Sequence, residues 1–101
     1  MTKAKTPLAA TRLEDIPNIG KSIAKDLRSV GIRSPADVKS MEPLQVFGLL
    51  RTPMGHRHDP CLLDTFLAAT DFMNGGTPQP WWAYTASRKQ LLATGSFIRE
   101  R

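Results

Sequence analysis

Cysteine is almost missing from this chain: Cys61 stands alone among 101 residues, so no internal disulfide braces the fold. Histidine is scarce too, with two copies, and the only grouping of metal-ligand types is His56, His58, Asp59 and Cys61. Zinc sites draw ligand pairs from separate segments, and no second pair follows, so no metal is expected. No apolar run approaches the roughly 20 residues that cross a bilayer. The opening MTKAKTPLAATRLED lacks the apolar centre of a secretion signal. Together these point to a soluble, cytoplasmic protein. Acidic residues are also in short supply, 9 against 14 Lys and Arg, leaving a net charge of +5. Seven bases against three acids fall within residues 1–35, which concentrates the positive field there. Such a field suits a polyanionic partner.

Residues 13–32, LEDIPNIGKSIAKDLRSVGI, organise the chain. They read as a short helix, a tight turn at Pro17-Asn18-Ile19-Gly20, and a second helix over 21–30. Pro stops the first segment, while Asn and Gly tolerate the left-handed conformations that a tight turn needs. Ile23, Leu27 and Val30 recur at i, i+4 and i+7 as one apolar face, and Gly31 sits at a left-handed cap position. Thr11 followed by Glu14 has the spacing of a capping box. Lys21, Lys25 and Arg28 form a basic stripe along the second helix, and Ser22 adds a hydroxyl near its start.

This pattern resembles the helix-hairpin-helix motif, a module that in many proteins holds the DNA backbone. The commonest version has Gly where this chain has Asn18. Hairpins with Asn here occur in the C-terminal domains of TfoX-type competence regulators and of the bacterial RNA polymerase α subunit. A turn feeding a helix N-terminus presents unpaired N–H groups and partial positive charge, an arrangement that suits phosphate. The expected phosphate-binding set is therefore Asn18, Ile19, Gly20, Lys21, Ser22, Lys25 and Arg28, with Lys3 and Lys5 assisting. Ile19 contributes through its N–H while its side chain packs the hairpin. The bland alternative is a hairpin that docks on a protein, its lysines merely solvated.

The rest of the chain reads as helices and connectors. Residues 1–10 form a flexible basic arm, 11–94 one helical domain, and 95–101 a loose tail. Ser34-Pro35-Ala36-Asp37 is a strong helix start, with a cap, a proline at the first helical position and an acid near the positive end of the dipole. Val38 and Met41 should face inward from it. Leu44, Phe47, Leu49 and Leu50 give a further helix its apolar side. Residues 51–58 are a loop. The 60–74 segment, capped by Asp59, carries Leu62, Leu63, Phe66, Leu67, Ala69 and Met73 and should be the central core helix. Asp64 and Asp71 on it read as solvated acids, free to pair with Arg51 or Arg57. Thr77-Pro78-Gln79-Pro80 is a stiff connector to Trp81, Trp82 and Tyr84, where at least one Trp should be largely buried. Residues 87–93 suggest a last short helix.

The run His56-Arg57-His58-Asp59-Pro60-Cys61-Leu62-Leu63-Asp64-Thr65-Phe66, with Pro80-Trp81-Trp82 and the hairpin, resembles the small bacterial pathogenicity-locus family. Its members are often labelled mitomycin-resistance proteins. The resemblance implies a helix-hairpin-helix fold and a setting of DNA damage or drug resistance. The expected architecture is all-α, a compact bundle of about five or six short helices with one SAM-like hairpin motif. The expected function is non-catalytic, sequence-tolerant DNA binding through phosphates, without a cofactor; a protein-interaction adaptor is the alternative. Cys61 beside His56 or His58 at a helix start has the surroundings of an activated thiol, but the sequence offers no oxyanion site to accompany it.

Overall fold

A computed structural model describes residues 3–50 and 59–93. The described residues are all-helical: α1 (Lys21–Ser29), α2 (Pro35–Ser40), α3 (Pro43–Leu49), α4 (Cys61–Met73) and α5 (Thr85–Ala93). Three single 3₁₀ turns, Pro7–Ala9, Leu13–Asp15 and Trp81–Tyr84, complete the set. The expected loop at 51–58, with His56 and His58, and the expected tail at 95–101 lie outside the described residues.

The core is built around α4, which packs on α2, α3, the Trp81–Tyr84 turn and α5. Leu63, Asp64, Thr65 and Phe66 are buried in succession, so the helix is covered on nearly all sides rather than along one stripe. Phe66 and Phe72 are its largest sealed side chains. Asp59 accepts from the Cys61 N–H at 2.8 Å and so caps α4, although the regular helix begins one residue after the expected Pro60.

Leu13, Ile16 and Ile19 are fully buried and share this core with Ala24 and Leu27 of α1. Their three-residue spacing fits a 3₁₀ turn, in which side chains at i and i+3 eclipse. The expected first helix is thus a single turn, ended by Pro17. Its cap also differs from expectation. Asp15, not Glu14, accepts from the N–H groups of Thr11 and Arg12, each at 3.0 Å. Those bonds hold the Asp15 carboxyl down at about 2.

α1 ends in a Schellman motif: Gly31 at φ +90 lets its own N–H reach the Arg28 carbonyl and the Ile32 N–H reach that of Leu27. α2 begins as its sequence demands, Ser34 and Asp37 exchanging side-chain and backbone bonds. In α3 the inward residues are Val46 and Phe47; Leu49, expected on the apolar side, is exposed.

Of the two acids seven residues apart on α4, Asp71 is exposed as expected while Asp64 is not; Arg51 and Arg57 lie outside the described residues. Asp64 is sealed from solvent and accepts from Thr85 Oγ1 at 2.7 Å and Arg88 Nε at 2.9 Å. Asp71 accepts from the Tyr84 hydroxyl at 2.6 Å. Burial and that bond push the Tyr84 phenol up to about 12. The two carboxylates therefore dock the C-terminal segment on α4. Gly76 makes room for this: a Cβ there would sit 2.5 Å from Asp71 Oδ2.

Candidate functional site

Of the expected site residues, Asn18, Ile19, Gly20, Lys21 and Ser22 fall at the turn that enters α1, whereas Lys25 lies further along the helix and Arg28 in its last turn. Asn18 takes φ +74, the left-handed conformation that asparagine accommodates better than most residues. Its side chain does something the sequence did not announce: Nδ2 donates to the Gln79 carbonyl at 2.7 Å, tying the turn to the proline-rich connector. Ile19 is fully buried and packs the turn from below.

Gly20 is the N-cap of α1, with φ −94 and no side chain to bond the first turn. Neither its φ nor its surroundings require glycine, since a Cβ there would meet nothing within 4 Å. Bare backbone is thus left open at the helix start without internal need. The first intrahelical bond runs from the Ala24 N–H to the Gly20 carbonyl. The N–H groups of Gly20, Lys21, Ser22 and Ile23 have no partner among the described residues. Four donors and the positive end of the helix dipole therefore converge on solvent.

Charge around this opening differs from the expected stripe. Lys21, Ser22 and Lys25 are exposed and unpaired among the described residues. Arg28 is engaged: its guanidinium grips Glu14 in a two-bond fork of 2.9 and 3.0 Å. This fork is the main cause holding the Glu14 carboxyl at about 2 and raising Arg28 further. Arg28 consequently adds a neutralised pair rather than a third free cation. Lys3 enters from the other side. Its ammonium donates to the carbonyls of Glu14 and Ile19, and the Ala4 N–H bonds the Asp15 carbonyl at 2.8 Å. Residues expected as a free arm are thus fastened beneath the turn from Lys3 onward, placing a positive charge there. Lys5 is exposed.

The aromatic cluster follows the connector. Trp81 and Trp82 meet edge to face, ring centroids 5.5 Å apart. Trp81 has most of its surface covered, in keeping with the expectation of one largely buried indole, whereas Trp82 is 63% exposed. The Trp81–Tyr84 turn is also held by Tyr84 on Asp71.

At the start of α4, Cys61 is half-buried and its thiol is pushed up, first by its bond with Asp59 and then by burial. That is the opposite of an activated nucleophile. Among the described residues no group of three or more His, Cys, Asp or Glu is arranged to hold a metal, and no helix is long and apolar enough to cross a membrane.

The fold and site define a small all-α domain with an open, basic helix entrance. The sequence model of the pathogenicity locus family (Cdd1) matches residues 7–90, and the chain belongs to that family. It is also 38% identical, over 81 residues, to a protein of Streptomyces lavendulae named mitomycin resistance protein McrB, covering 80% of this chain and 77% of that one. No solved structure matches it.

Proposed function

We propose that this chain is a non-catalytic DNA-binding domain that grips phosphates, without reading sequence, at the entrance to α1. In this reading the 3₁₀ turn, residues 17–20 and α1 act as a helix-hairpin-helix. The observation that carries it is the entrance at Gly20: a bare helix cap that neither φ nor crowding requires, with four N–H groups unpartnered among the described residues and two unpaired lysines beside them. A phosphate seated there receives backbone N–H bonds and the field of Lys21 and Lys25, with Ser22 Oγ in reach of the same turn. Among the described residues no further element accompanies this entrance to read base edges, which favours sequence-tolerant binding. DNA damage or drug resistance is the setting that the relative's name suggests.

The test is fluorescence anisotropy with labelled duplex DNA across a salt series. The expected dissociation constant is micromolar or weaker (roughly 10⁻⁴–10⁻⁶ M), with log affinity falling by about 0.9 per phosphate contacted for each decade of salt. Lys21→Glu with Lys25→Glu should abolish binding in a protein whose circular dichroism is unchanged. Retained binding in that variant would move the site elsewhere. The alternative reading, a protein-docking adaptor, draws on the exposed Leu8 and Leu49. It gains if the unaltered protein binds no DNA even at low salt.

A further inference from the structure

Trp82 is the one large aromatic side chain that the described fold leaves mostly uncovered, and its position is not arbitrary. Trp81 meets it edge to face rather than in a parallel stack, so at most one face of the Trp82 indole is covered by this neighbour. The segment carrying it is held from two sides. Tyr84 bonds Asp71 on α4, and Gln79, between Pro78 and Pro80, accepts from Asn18 of the turn. Three peptide steps separate Gln79 from Trp82, which caps their Cα separation at about 11 Å. The indole thus lies within the reach of a few nucleotides from the turn that Asn18 ties to Gln79.

Building on the phosphate-binding reading above, we propose that Trp82 is a stacking platform for an unpaired base next to the duplex held at the α1 entrance, so that the domain prefers DNA ends and junctions carrying single-stranded nucleotides. Charge favours this occupant over an apolar protein surface. Lys21 and Lys25 beside the turn are unpaired among the described residues, Lys3 lies beneath it, and the segment from Gln79 to Ala93 carries no acid of its own, the exposed Asp71 carboxylate that meets it being bonded to Tyr84. A base offers its π face whatever its identity, so stacking leaves sequence tolerance intact. In this arrangement Asn18 has a positioning role: it sets the turn by its backbone and fixes the connector by its side chain.

The experiment compares a blunt labelled duplex with the same duplex carrying a four-nucleotide single-stranded overhang, using the full chain at low salt. The expected result is tighter binding of the overhang by about fivefold or more, the lower end of what aromatic–base stacking supplies. It should be accompanied by quenching of tryptophan fluorescence. Trp82→Ala should bring the overhang-to-blunt ratio to about one, and Trp82→Phe should restore most of it. Equal binding of both DNAs that is indifferent to Trp82→Ala overturns this inference and leaves the phosphate site standing. Absence of binding to either DNA overturns both. Sedimentation showing a dimer that Trp82→Ala dissociates would assign the indole to self-association and also overturn it.

Discussion

At the turn before α1, Asp15 holds neighbouring N–H groups and the more exposed Glu14 holds the fork of Arg28. On α4, Asp64 is sealed against Thr85 and Arg88. The same side-chain chemistry thus serves two purposes. Around the turn the Glu14–Arg28 fork remains near water, with Arg28 43% and Glu14 23% exposed, where a competing anion can approach it. Beneath α5 the ion pair is shielded, with Arg88 13% and Asp64 0% exposed. A shielded pair is poor material for a binding site, because breaking it strands a charge; an exposed pair exchanges partners cheaply. The comparison separates a docking joint from an adaptable entrance.

The largest effect should come from the joint. Asp64→Ala leaves the Arg88 guanidinium without its partner and is expected to cost about 3–5 kcal/mol, read as a fall in the urea midpoint. That is a substantial share of the roughly 5–15 kcal/mol available to a domain of this kind. Replacing both members with apolar side chains, Asp64→Leu with Arg88→Met, should recover most of the loss. A small cost for the single change would mean that α5 is not held by this pair.

A middle-sized effect is expected at Asn18, where the entrance and the C-terminal segment meet. Asn18→Ala loses the bond to Gln79 and places a less tolerant residue at φ +74, costing about 1–2 kcal/mol. Asn18→Gly keeps the conformation and loses only the bond, so it should cost less, about 1 kcal/mol. Equal costs for the two variants would show that the left-handed backbone contributes nothing measurable.

What could be read from residues alone follows the same division. Local signals held: Gly31, Ser34-Pro35-Asp37 and the apolar density of α4 each specify their neighbours within a few positions. The 3₁₀ turn was misread because Thr11 and Glu14 have capping-box spacing while Asp15 has the bonding geometry. The buried inward set Leu13, Ile16 and Ile19 carried the three-residue period that betrayed it. Long-range pairing was illegible. Asp64 meets Arg88 24 residues on, Glu14 meets Arg28 14 residues on, and Asn18 meets Gln79 61 residues on. No spacing rule links such partners, so an acid on α4 looks solvated and Arg28 looks like a free cation. The candidate site was legible in its backbone, since Asn18, Gly20 and the helix start are local features. Its charge was not, because neutralisation of Arg28 and recruitment of Lys3 depend on tertiary contacts.

The smallest stability effect, and a change of opposite sign in binding, should follow from Glu14→Gln. Glu14 occupies the guanidinium of Arg28 much as a phosphate oxygen would, in a planar two-bond fork. Its carboxyl is held at about 2, well below its unfolded value near 4, so the pair contributes stability that is complete above about pH 5 and is lost only as pH falls toward 2. Mild acidification therefore does not release Arg28, whereas the neutral isostere does. Glu14→Gln should lower the urea midpoint only slightly, because the pair is partly exposed, and tighten duplex binding severalfold. If the freed Arg28 takes a phosphate, the salt slope should steepen by about 0.9. An unchanged slope would place Arg28 outside the DNA footprint and confine the entrance to Lys21, Lys25 and the bare backbone at Gly20.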